Sequence, residues 1–249
     1  MEEAEGGGGP VVDGTSLFGG RLLCLQHRDG YRFSIDAVLL AHFVSPAKGD
    51  RLLDLCAGSG VISLILAYRH TTLTITALEV QPALAALARE SVGHNGYDER
   101  IAVLTGDCRE AGALIAAGSF DWVVANPPFY KAETGRQNPN LEEAIARHEL
   151  LADIDQVAGA ASFALRTRGR AAFVYPASRL AALCRALAAA NLAMKRLRMV
   201  HSYPGGAARL VLVEAVKNGG EELAVLPPLF VYQEQGGAYT PEVAAWYAP

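Results

Sequence analysis

Segments that read as short buried strands alternate along this chain with segments of helical pattern, and this order restricts the fold more than any other sequence feature. Strand–helix–strand units cross over in the right-handed sense and give parallel strands in one sheet. Residues 195–203 and 208–217 are two strand segments with only a Pro-Gly-Gly turn between them, so they predict an antiparallel hairpin at the sheet edge. We therefore predict an α/β fold with a doubly wound sheet of seven strands, mostly parallel, that ends in a C-terminal antiparallel hairpin. The predicted strands are 51–55, 73–78, 101–105, 120–125, 171–175, 195–203 and 208–217, and the main predicted helices are 61–68, 81–94, 153–167 and 178–191.

The sequence divides into three parts. A length of 249 residues and a hydrophobic content of 51% predict one globular catalytic domain with a large core. Residues 1–14 are acidic and rich in glycine, lack the features of a signal peptide, and are expected to form a disordered tail. Residues 15–220 form the predicted domain, of which 15–48 are a lead-in segment. Residues 221–249 form a C-terminal tail that packs on the domain or at a subunit contact.

Charge and cysteine content exclude some classes of protein. A net charge of −4 argues against an overall basic coat for nucleic acid, although it leaves local basic patches open. The four cysteines form no Cys-x-x-Cys pair, so neither a zinc site nor a disulfide framework is indicated, and we expect no metal. The uncharged runs are too short to span a membrane. We therefore expect a cytoplasmic protein with reduced thiols.

The segment Asp54-Leu55-Cys56-Ala57-Gly58-Ser59-Gly60 joins the first predicted strand to its helix. Gly58 and Gly60 allow a tight turn and close approach of a ligand to the backbone, and in open α/β sheets this crevice binds ligands. A dinucleotide site is the competing interpretation. Asp54, however, would repel a pyrophosphate, whereas a carboxylate suits the ammonium and sulfonium groups of S-adenosylmethionine. The candidate cofactor-binding residues of this loop are Asp54, Cys56, Ala57, Gly58 and Gly60.

Two further acids follow the next strand segments. Glu79 ends the second strand, where an acid commonly accepts hydrogen bonds from ribose hydroxyls. Asp107 follows the third strand and could accept a hydrogen bond from an adenine amino group, while the backbone N–H of the next residue meets a ring nitrogen. The alternatives are a solvated strand end for Glu79 and a helix cap before Glu110 for Asp107. We predict that Glu79, Val80, Asp107 and Cys108 bind the cofactor.

The residues Asn126-Pro127-Pro128-Phe129 follow the fourth predicted strand. Two prolines stop both ladder pairing and helix formation, so they hold Asn126 at the carboxyl end of the strand beside an aromatic ring. An amide that donates and accepts hydrogen bonds, next to a flat apolar face, suits a planar amino-bearing group such as a nucleobase. A strand-ending turn with a buried ring fits these four residues equally well, but the acids upstream favour a binding site.

These motifs taken together resemble the amino-methylating branch of the class I methyltransferases, which have a Rossmann-like sheet. In this chain Cys56 replaces the first glycine of the family's loop. Residues 31–41, Tyr-Arg-Phe-Ser-Ile-Asp-Ala-Val-Leu-Leu-Ala, resemble the corresponding segment of the tRNA (adenine-N6)-methyltransferases that modify the adenine beside the anticodon of a valine tRNA. The resemblance spans residues 18–217. It implies an S-adenosylmethionine-dependent N-methyltransferase that releases S-adenosylhomocysteine, with adenine N6 in tRNA as the preferred acceptor.

The resemblance implies a role for the lead-in segment as well. In the family, the part that contains Phe33, Ser34 and Asp36 closes over the methionine end of the cofactor. The alternative is an ordinary amphipathic helix with Ser34 as its N-cap.

The predicted catalytic residues are Asn126, Pro127 and Phe129, and Asn126 is also a predicted cofactor contact. The Asn126 side-chain oxygen and the Pro127 carbonyl would each accept one hydrogen of the target amine, which aims its lone pair at the methyl group. Phe129 would stack on the target base. The predicted substrate contacts are Pro128, Tyr130, Arg136, Arg147 and His148.

Several acceptors fit the same chemistry. The Asn-Pro-Pro motif also serves glutamine methyltransferases that act on release factors, but these usually carry a helical domain before the sheet, and only about fifty residues precede the first strand here. Guanine-N2 methylation of ribosomal RNA and adenine-N6 methylation of DNA are further alternatives, and a non-catalytic, cofactor-binding RNA chaperone is the alternative of another class. We expect an RNA partner, preferably a tRNA, and a monomer or homodimer. Two basic clusters, 166–170 and 195–198, are either phosphate contacts or solvated faces.

Overall fold

The computed structural model of the protein describes residues 12–28, 33–127 and 152–248. Among these residues, nine strands form one central sheet and two more form a separate hairpin. The strands are β1 (Val12–Leu17), β2 (Leu22–His27), β3 (Arg51–Leu55), β4 (Thr74–Glu79), β5 (Ile101–Thr105), β6 (Phe120–Ala125), β7 (Leu165–Pro176), β8 (Leu192–His201), β9 (Ala208–Lys217), β10 (Ala224–Val225) and β11 (Leu229–Phe230). The helices are α1 (Ile35–Phe43), α2 (Val61–Arg69), α3 (Pro82–His94), α4 (Ala111–Leu114), α5 (Ile154–Ala164), α6 (Leu180–Ala189) and α7 (Pro241–Ala245).

The strand order of the central sheet is β10-β8-β9-β7-β6-β3-β4-β5, and β11 also pairs with β8. Strands β3 to β7 run parallel, and β9 lies antiparallel between β7 and β8. The doubly wound sheet and its antiparallel hairpin of β8 and β9 are thereby confirmed. The predicted count of seven strands is wrong, because β10 and β11 pair in parallel with β8 and extend the sheet beyond the hairpin.

Strand β7 begins earlier than the sequence predicts. The sequence predicts a helix through residue 167, but α5 ends at Ala164 and Leu165 already pairs with Phe120 of β6. Leu165 is fully buried and has extended backbone angles, with φ −72° and ψ 138°. Burial against β6 therefore outweighs the local helical pattern.

Each face of the central sheet is covered by its own hydrophobic core. The neighbouring residues Leu52 and Leu53 of β3 belong to opposite cores, as the two-residue period of a strand requires, and both are fully buried. Helices α1 and α2 cover the Leu52 face, and α5 and α6 cover the Leu53 face. Burial on both faces explains why the strand segments are continuous apolar runs in the sequence.

The hairpin of β1 and β2 was not indicated by any sequence pattern. Its first strand begins at Val12, which pairs with His27, so residues 12–14 belong to an ordered hairpin. The boundary of the predicted disordered tail at residue 14 is therefore wrong. Strand β2 packs against α3, which places the lead-in segment beside the central domain.

The C-terminal tail lies on the domain. Arg198 of β8 donates to both carboxylate oxygens of Glu242 in α7, at 2.6 and 2.9 Å. The ring of Trp246 stacks on His42 of α1, with ring centroids 5.0 Å apart. The tail and its two short strands cover the edge of β8, which would otherwise present unpaired backbone groups. Within the described ranges, no helix has both the length and the apolar character needed to cross a membrane.

We expect Trp246→Ala to lower the free energy of unfolding by about 2 kcal/mol, because it removes a half-buried ring from the contact between the tail and α1. Denaturant unfolding monitored by circular dichroism measures this change. Val225→Ala, at a side chain that is 69% exposed, is the control and should change stability by less than about 0.5 kcal/mol. An unchanged midpoint for Trp246→Ala would show that the tail does not stabilise the domain.

Candidate active site

Four loops meet at one edge of the central sheet. Strands β6, β3, β4 and β5 are adjacent and parallel, so their carboxyl ends share this edge, which we call the loop edge. Asp54 lies in β3, Glu79 ends β4, Asp107 follows β5 and Asn126 follows β6. The structure thus brings these four predicted residues to one place.

Asp54 is fully buried below the loop that joins β3 to α2. Its Oδ2 atom accepts hydrogen bonds from the backbone N–H of Ser63 (3.2 Å) and from Ser63 Oγ (2.7 Å), so the carboxylate anchors the first turn of α2. Oδ1 is also buried and has no hydrogen-bond partner among the described residues. Burial raises the pKa of Asp54 to about 7, against the lowering effect of the Ser63 bonds. A buried acceptor without a partner fits a hydrogen-bond donor on a bound ligand.

The loop from Asp54 to Gly60 takes left-handed backbone angles at three positions. Cys56, Gly58 and Gly60 have φ values of 60°, 58° and 80°. Cys56 therefore adopts the conformation that glycine supplies in the family, at a cost of about 1–3 kcal/mol. The backbone N–H of Ala57 donates to the carbonyl of Leu78 at 3.1 Å, which holds the loop beside β4.

Glu79 ties the same loop to the end of β4. Its side chain is buried, Oε2 accepts the N–H of Gly58 at 2.8 Å, and Oε1 accepts the N–H of Gln81 at 2.9 Å. Burial raises the pKa of Glu79, and its backbone hydrogen bonds lower it. The alternative of a solvated strand end is therefore wrong. Each oxygen can accept a second hydrogen bond, so ribose hydroxyls remain compatible with Glu79 and with the half-buried Val80 beside it.

Asp107 caps the short 3₁₀ turn Cys108–Glu110. Its Oδ1 accepts the backbone N–H of Arg109 at 2.8 Å, and its Oδ2 accepts Arg109 Nε at 2.7 Å. The Arg109 side chain lowers the pKa of Asp107, so the carboxylate is ionised and paired. Asp107 therefore caps a helical turn, which was the alternative role predicted for it from the sequence. Oδ1 keeps a lone pair that can accept a hydrogen bond from an adenine amino group.

Asn126 lies at the end of β6, beside the end of β3, because Ala125 pairs with Leu55. Its Oδ1 atom is buried and has no hydrogen-bond partner among the described residues. Pro127 is also buried. Two neighbouring strands, β3 and β6, therefore each end in a buried acceptor without a described partner. The predicted residues Pro128, Phe129, Tyr130, Arg136, Arg147 and His148 lie outside the described residues.

The lead-in segment reaches the loop edge through α1. Ser34 Oγ accepts the N–H of Asp36 at 3.4 Å and caps this helix, and burial raises the pKa of Asp36. Helix α1 packs against α2, and Arg69 at the end of α2 donates to the carbonyl of Ala41 near the end of α1. The ends of the two helices therefore lie together. At the other end of the segment, the N–H of Phe33 donates to Gln26 of β2, and Cys24 Sγ of the same strand lies 3.7 Å from Ser59 Oγ of the cofactor loop.

The two basic clusters form ion pairs in the structure. Arg170 and Arg196 both bond the buried carboxylate of Glu214, and Arg166 pairs with Asp121. Arg166 and Arg170 lie in the amino-terminal half of β7, away from the loop edge. These contacts give the arginines a structural role.

Sequence reasoning missed Ser63, which bonds Asp54, and the contact between two predicted cofactor residues, Cys56 and Cys108. Ser63 could have been found, because it is a polar residue within the apolar helical segment 61–68. The thiols of Cys56 and Cys108 interact, and this interaction raises the pKa of Cys56 and lowers that of Cys108. No sequence signal relates two cysteines that are this far apart.

Comparison with known proteins identifies the family. The model of the family described as Methyltransferase small domain matches residues 34–150. A tRNA1(Val) (adenine(37)-N6)-methyltransferase of Porphyromonas gingivalis is 31% identical over 189 residues, which cover 74% of this chain and 73% of that protein. The protein of the same name from Shewanella amazonensis is 32% identical over 190 residues, with coverage of 76% and 79%. The chain belongs to this family of class I methyltransferases.

Solved structures share the fold of this methyltransferase. A predicted O-methyltransferase from Agrobacterium tumefaciens has a TM-score of 0.70 at 24% identity and covers 85% of this chain and 95% of that chain. A geranyl diphosphate methyltransferase in complex with S-adenosylmethionine has a TM-score of 0.53 at 16% identity, with coverage of 73% and 84%. At these identities the likeness concerns the fold alone.

The cofactor of this methyltransferase is S-adenosylmethionine, and the residues at the loop edge fit it. Asp54 would hold the ammonium group, Glu79 the ribose hydroxyls, and Asp107 with the N–H of Cys108 the adenine. The buried Asp54 oxygen without a described partner supports this fit, since a pyrophosphate would be repelled there. In the parts of the chain that the structure describes, no group of three His, Cys, Asp or Glu side chains could hold a metal ion.

We expect the affinity for S-adenosylmethionine to rise between about pH 5.5 and about pH 7.5, because the ligand's ammonium binds the ionised form of Asp54, whose pKa is about 7, and because an α-ammonium itself loses its proton near about pH 8. Below this pKa the affinity should fall by up to about tenfold per pH unit. Isothermal titration calorimetry measures the profile. Asp54→Asn lacks the titrating group and should bind weakly with a shallower profile. A flat profile for the unmodified protein would contradict the assignment.

The raised pKa of Asp54 also predicts that the stability of the protein falls with rising pH, whereas the affinity for the cofactor rises. Because the folded-state pKa of Asp54 lies above its ordinary value of 3.8, ionisation of this group destabilises the ligand-free protein as the pH rises from about 4 to about 7. Asp54→Asn should therefore have the higher Tm at about pH 8 in the absence of cofactor, and this gain should shrink towards about pH 4. Thermal unfolding at both pH values measures it, and an equal loss of Tm at both would contradict the expectation.

Proposed function

We propose that this methyltransferase modifies the exocyclic N6 amine of an adenine beside the anticodon of a tRNA. The observation that carries the proposal is the buried Oδ1 of Asn126 at the end of β6, one strand from the cofactor residue Asp54. An acceptor at that position fits an amine hydrogen of a planar base. The resemblance of residues 31–41 and the names of both relatives support adenine in tRNA as the acceptor.

The role of Asn126 follows from the weak nucleophilicity of a conjugated amine. The lone pair of an exocyclic nitrogen is delocalised into the purine ring. It is therefore not directed at the methyl group, and the amine is a weak nucleophile. Asn126 Oδ1 and the Pro127 carbonyl would each accept one N–H, which favours a tetrahedral nitrogen and fixes the direction of its lone pair. S-adenosylmethionine, when bound, supplies an electrophilic methyl group on its sulfonium. No base is needed before transfer, because the methylated ammonium is strongly acidic and loses its proton to water.

An anticodon loop suits this site because its bases are not held in a duplex. The target base must leave its stack to reach a pocket at the loop edge, and this is easiest in a single-stranded loop. The acceptor oxygens of Asn126 and Pro127 are both buried at the strand end, so a base that binds them must be fully turned out.

We expect Asn126→Ala to lower kcat for methyl transfer by about 10²- to 10³-fold, the usual effect of removing one preorganised hydrogen-bonding group. The dissociation constant for S-adenosylmethionine should change by less than about threefold, since Asp54 and Glu79 remain. Transfer of a tritiated methyl group to a valine tRNA transcript measures kcat, and calorimetry measures binding. Asn126→Asp keeps the oxygen acceptor and should retain more activity than the alanine variant.

The controls are other molecules that could accept the methyl group. The same transcript with guanine in place of the adenine beside the anticodon should accept no methyl group. Ribosomal RNA and a release factor complete the panel. Incorporation into one of these but not into tRNA would overturn the proposed acceptor, and near-normal turnover by Asn126→Ala would overturn the mechanism. Cofactor binding without incorporation into any acceptor would favour a non-catalytic binding protein.

A further inference from the structure

Gln26, near the end of β2, connects the N-terminal hairpin to the residue that precedes the cap of α1. Its side chain is only 2% exposed. Oε1 accepts the backbone N–H of Phe33 at 2.8 Å, and Nε2 donates to Thr15 Oγ1 of β1 at 2.7 Å. A buried amide with partners at both ends is a specific connection, since burial without partners would be strongly unfavourable.

The hairpin that carries Gln26 is itself fixed to α3. The N–H of Leu25 donates to Ser91 Oγ at 2.9 Å. The Asn95 side chain accepts the N–H of Leu23 at 3.0 Å and donates to the carbonyl of the same residue at 2.7 Å. Strand β2 therefore has a defined position relative to the central domain, and Gln26 transmits that position to Phe33.

The same strand also contacts the cofactor loop. Cys24 Sγ lies 3.7 Å from Ser59 Oγ, within the loop from Asp54 to Gly60. Burial raises the pKa of Cys24 to about 11, so the thiol stays protonated and can donate a hydrogen bond. One strand thus contacts the cofactor loop through Cys24 and the start of the α1 segment through Gln26.

From this arrangement we infer that Gln26 is a positioning residue for cofactor binding: its hydrogen bond to Phe33 holds the first residues of the α1 segment beside the cofactor loop. Phe33 is bonded to Gln26, which is two residues from Cys24 on the same strand, and Cys24 contacts Ser59 of the cofactor loop. Gln26 contacts neither Asp54 nor Glu79, so it acts on the cofactor only through the segment that it holds. The inference rests on the cofactor site, and it holds for any methyl acceptor.

The test compares variants of two amide side chains that bond the hairpin to other parts of the domain, the buried Gln26 and the half-buried Asn95. Gln26→Leu removes the bond to Phe33, whereas Asn95→Leu removes the two bonds to Leu23 and keeps the bond from Leu25 to Ser91, which still holds β2 on α3. Calorimetry with S-adenosylmethionine should show a dissociation constant about tenfold higher for Gln26→Leu and less than about twofold higher for Asn95→Leu, at a temperature where both are folded. Gln26→Glu keeps an oxygen acceptor for Phe33 and should recover most of the affinity.

Kinetics supply a second measurement. Gln26→Leu should raise KM for S-adenosylmethionine while kcat at saturating cofactor and KM for the acceptor stay within about threefold of the unmodified values. Equal losses of cofactor affinity in Gln26→Leu and Asn95→Leu, or a loss of Tm without any change in affinity, would overturn the inference. If Gln26→Leu fails to fold, Thr15→Val, which removes the hydroxyl that accepts from Nε2, should raise the dissociation constant by about threefold, and an unchanged value would overturn the inference. Since calorimetry needs no acceptor, failure of the tRNA assignment leaves this test intact.

Discussion

The buried carboxylate of Asp54 joins the central sheet to the helix at which the cofactor site begins. One oxygen accepts two hydrogen bonds from Ser63 and so fixes the first turn of α2 on the end of β3. The other oxygen has no described partner and lies in the same buried place. Helix α2 in turn contacts α1, and Arg69 at its end bonds the carbonyl of Ala41. The carboxylate of Asp54 therefore fixes the start of the helix on which α1 packs.

The polar groups at the loop edge divide into those that maintain its shape and those that are left for ligands. Glu79 uses both oxygens on backbone N–H groups of Gly58 and Gln81, and Asp107 is paired with Arg109. These acids keep the loops in place and offer only their remaining lone pairs. Asp54 and Asn126 each keep one whole buried oxygen without a described partner. The first pair is therefore mainly structural, whereas the second pair offers buried acceptors that fit donors on a ligand.

Sequence patterns predicted the sheet well because its strands are buried on both faces, so 51–55 and 120–125 read as uninterrupted apolar runs. They also indicated that the acids share one edge of the sheet, since each lies at or just beyond the carboxyl end of a parallel strand. The hairpin from Val12 could not be predicted, because its first strand has only half-buried or exposed residues up to Leu17. Leu165 carries a helical pattern, and only its pairing with Phe120 makes it part of a strand. Which oxygen of an acid is already occupied depends on its three-dimensional partners, such as the N–H of Gly58 for Glu79, which no local pattern specifies.

The strain in the ligand-free site has a functional consequence. Each buried acceptor without a partner costs about 1–3 kcal/mol, and the left-handed backbone of Cys56 adds a cost of similar size. These costs fall on β3, β6 and the loop between β3 and α2, all of which are held firmly by the two cores of the sheet. Because the sheet cannot relax around these atoms, the acceptors stay in the orientation that a ligand needs. A ligand that donates to Asp54 and Asn126 removes a penalty that is already present, so part of its binding free energy comes from the rigidity of the fold and not from new order in the site.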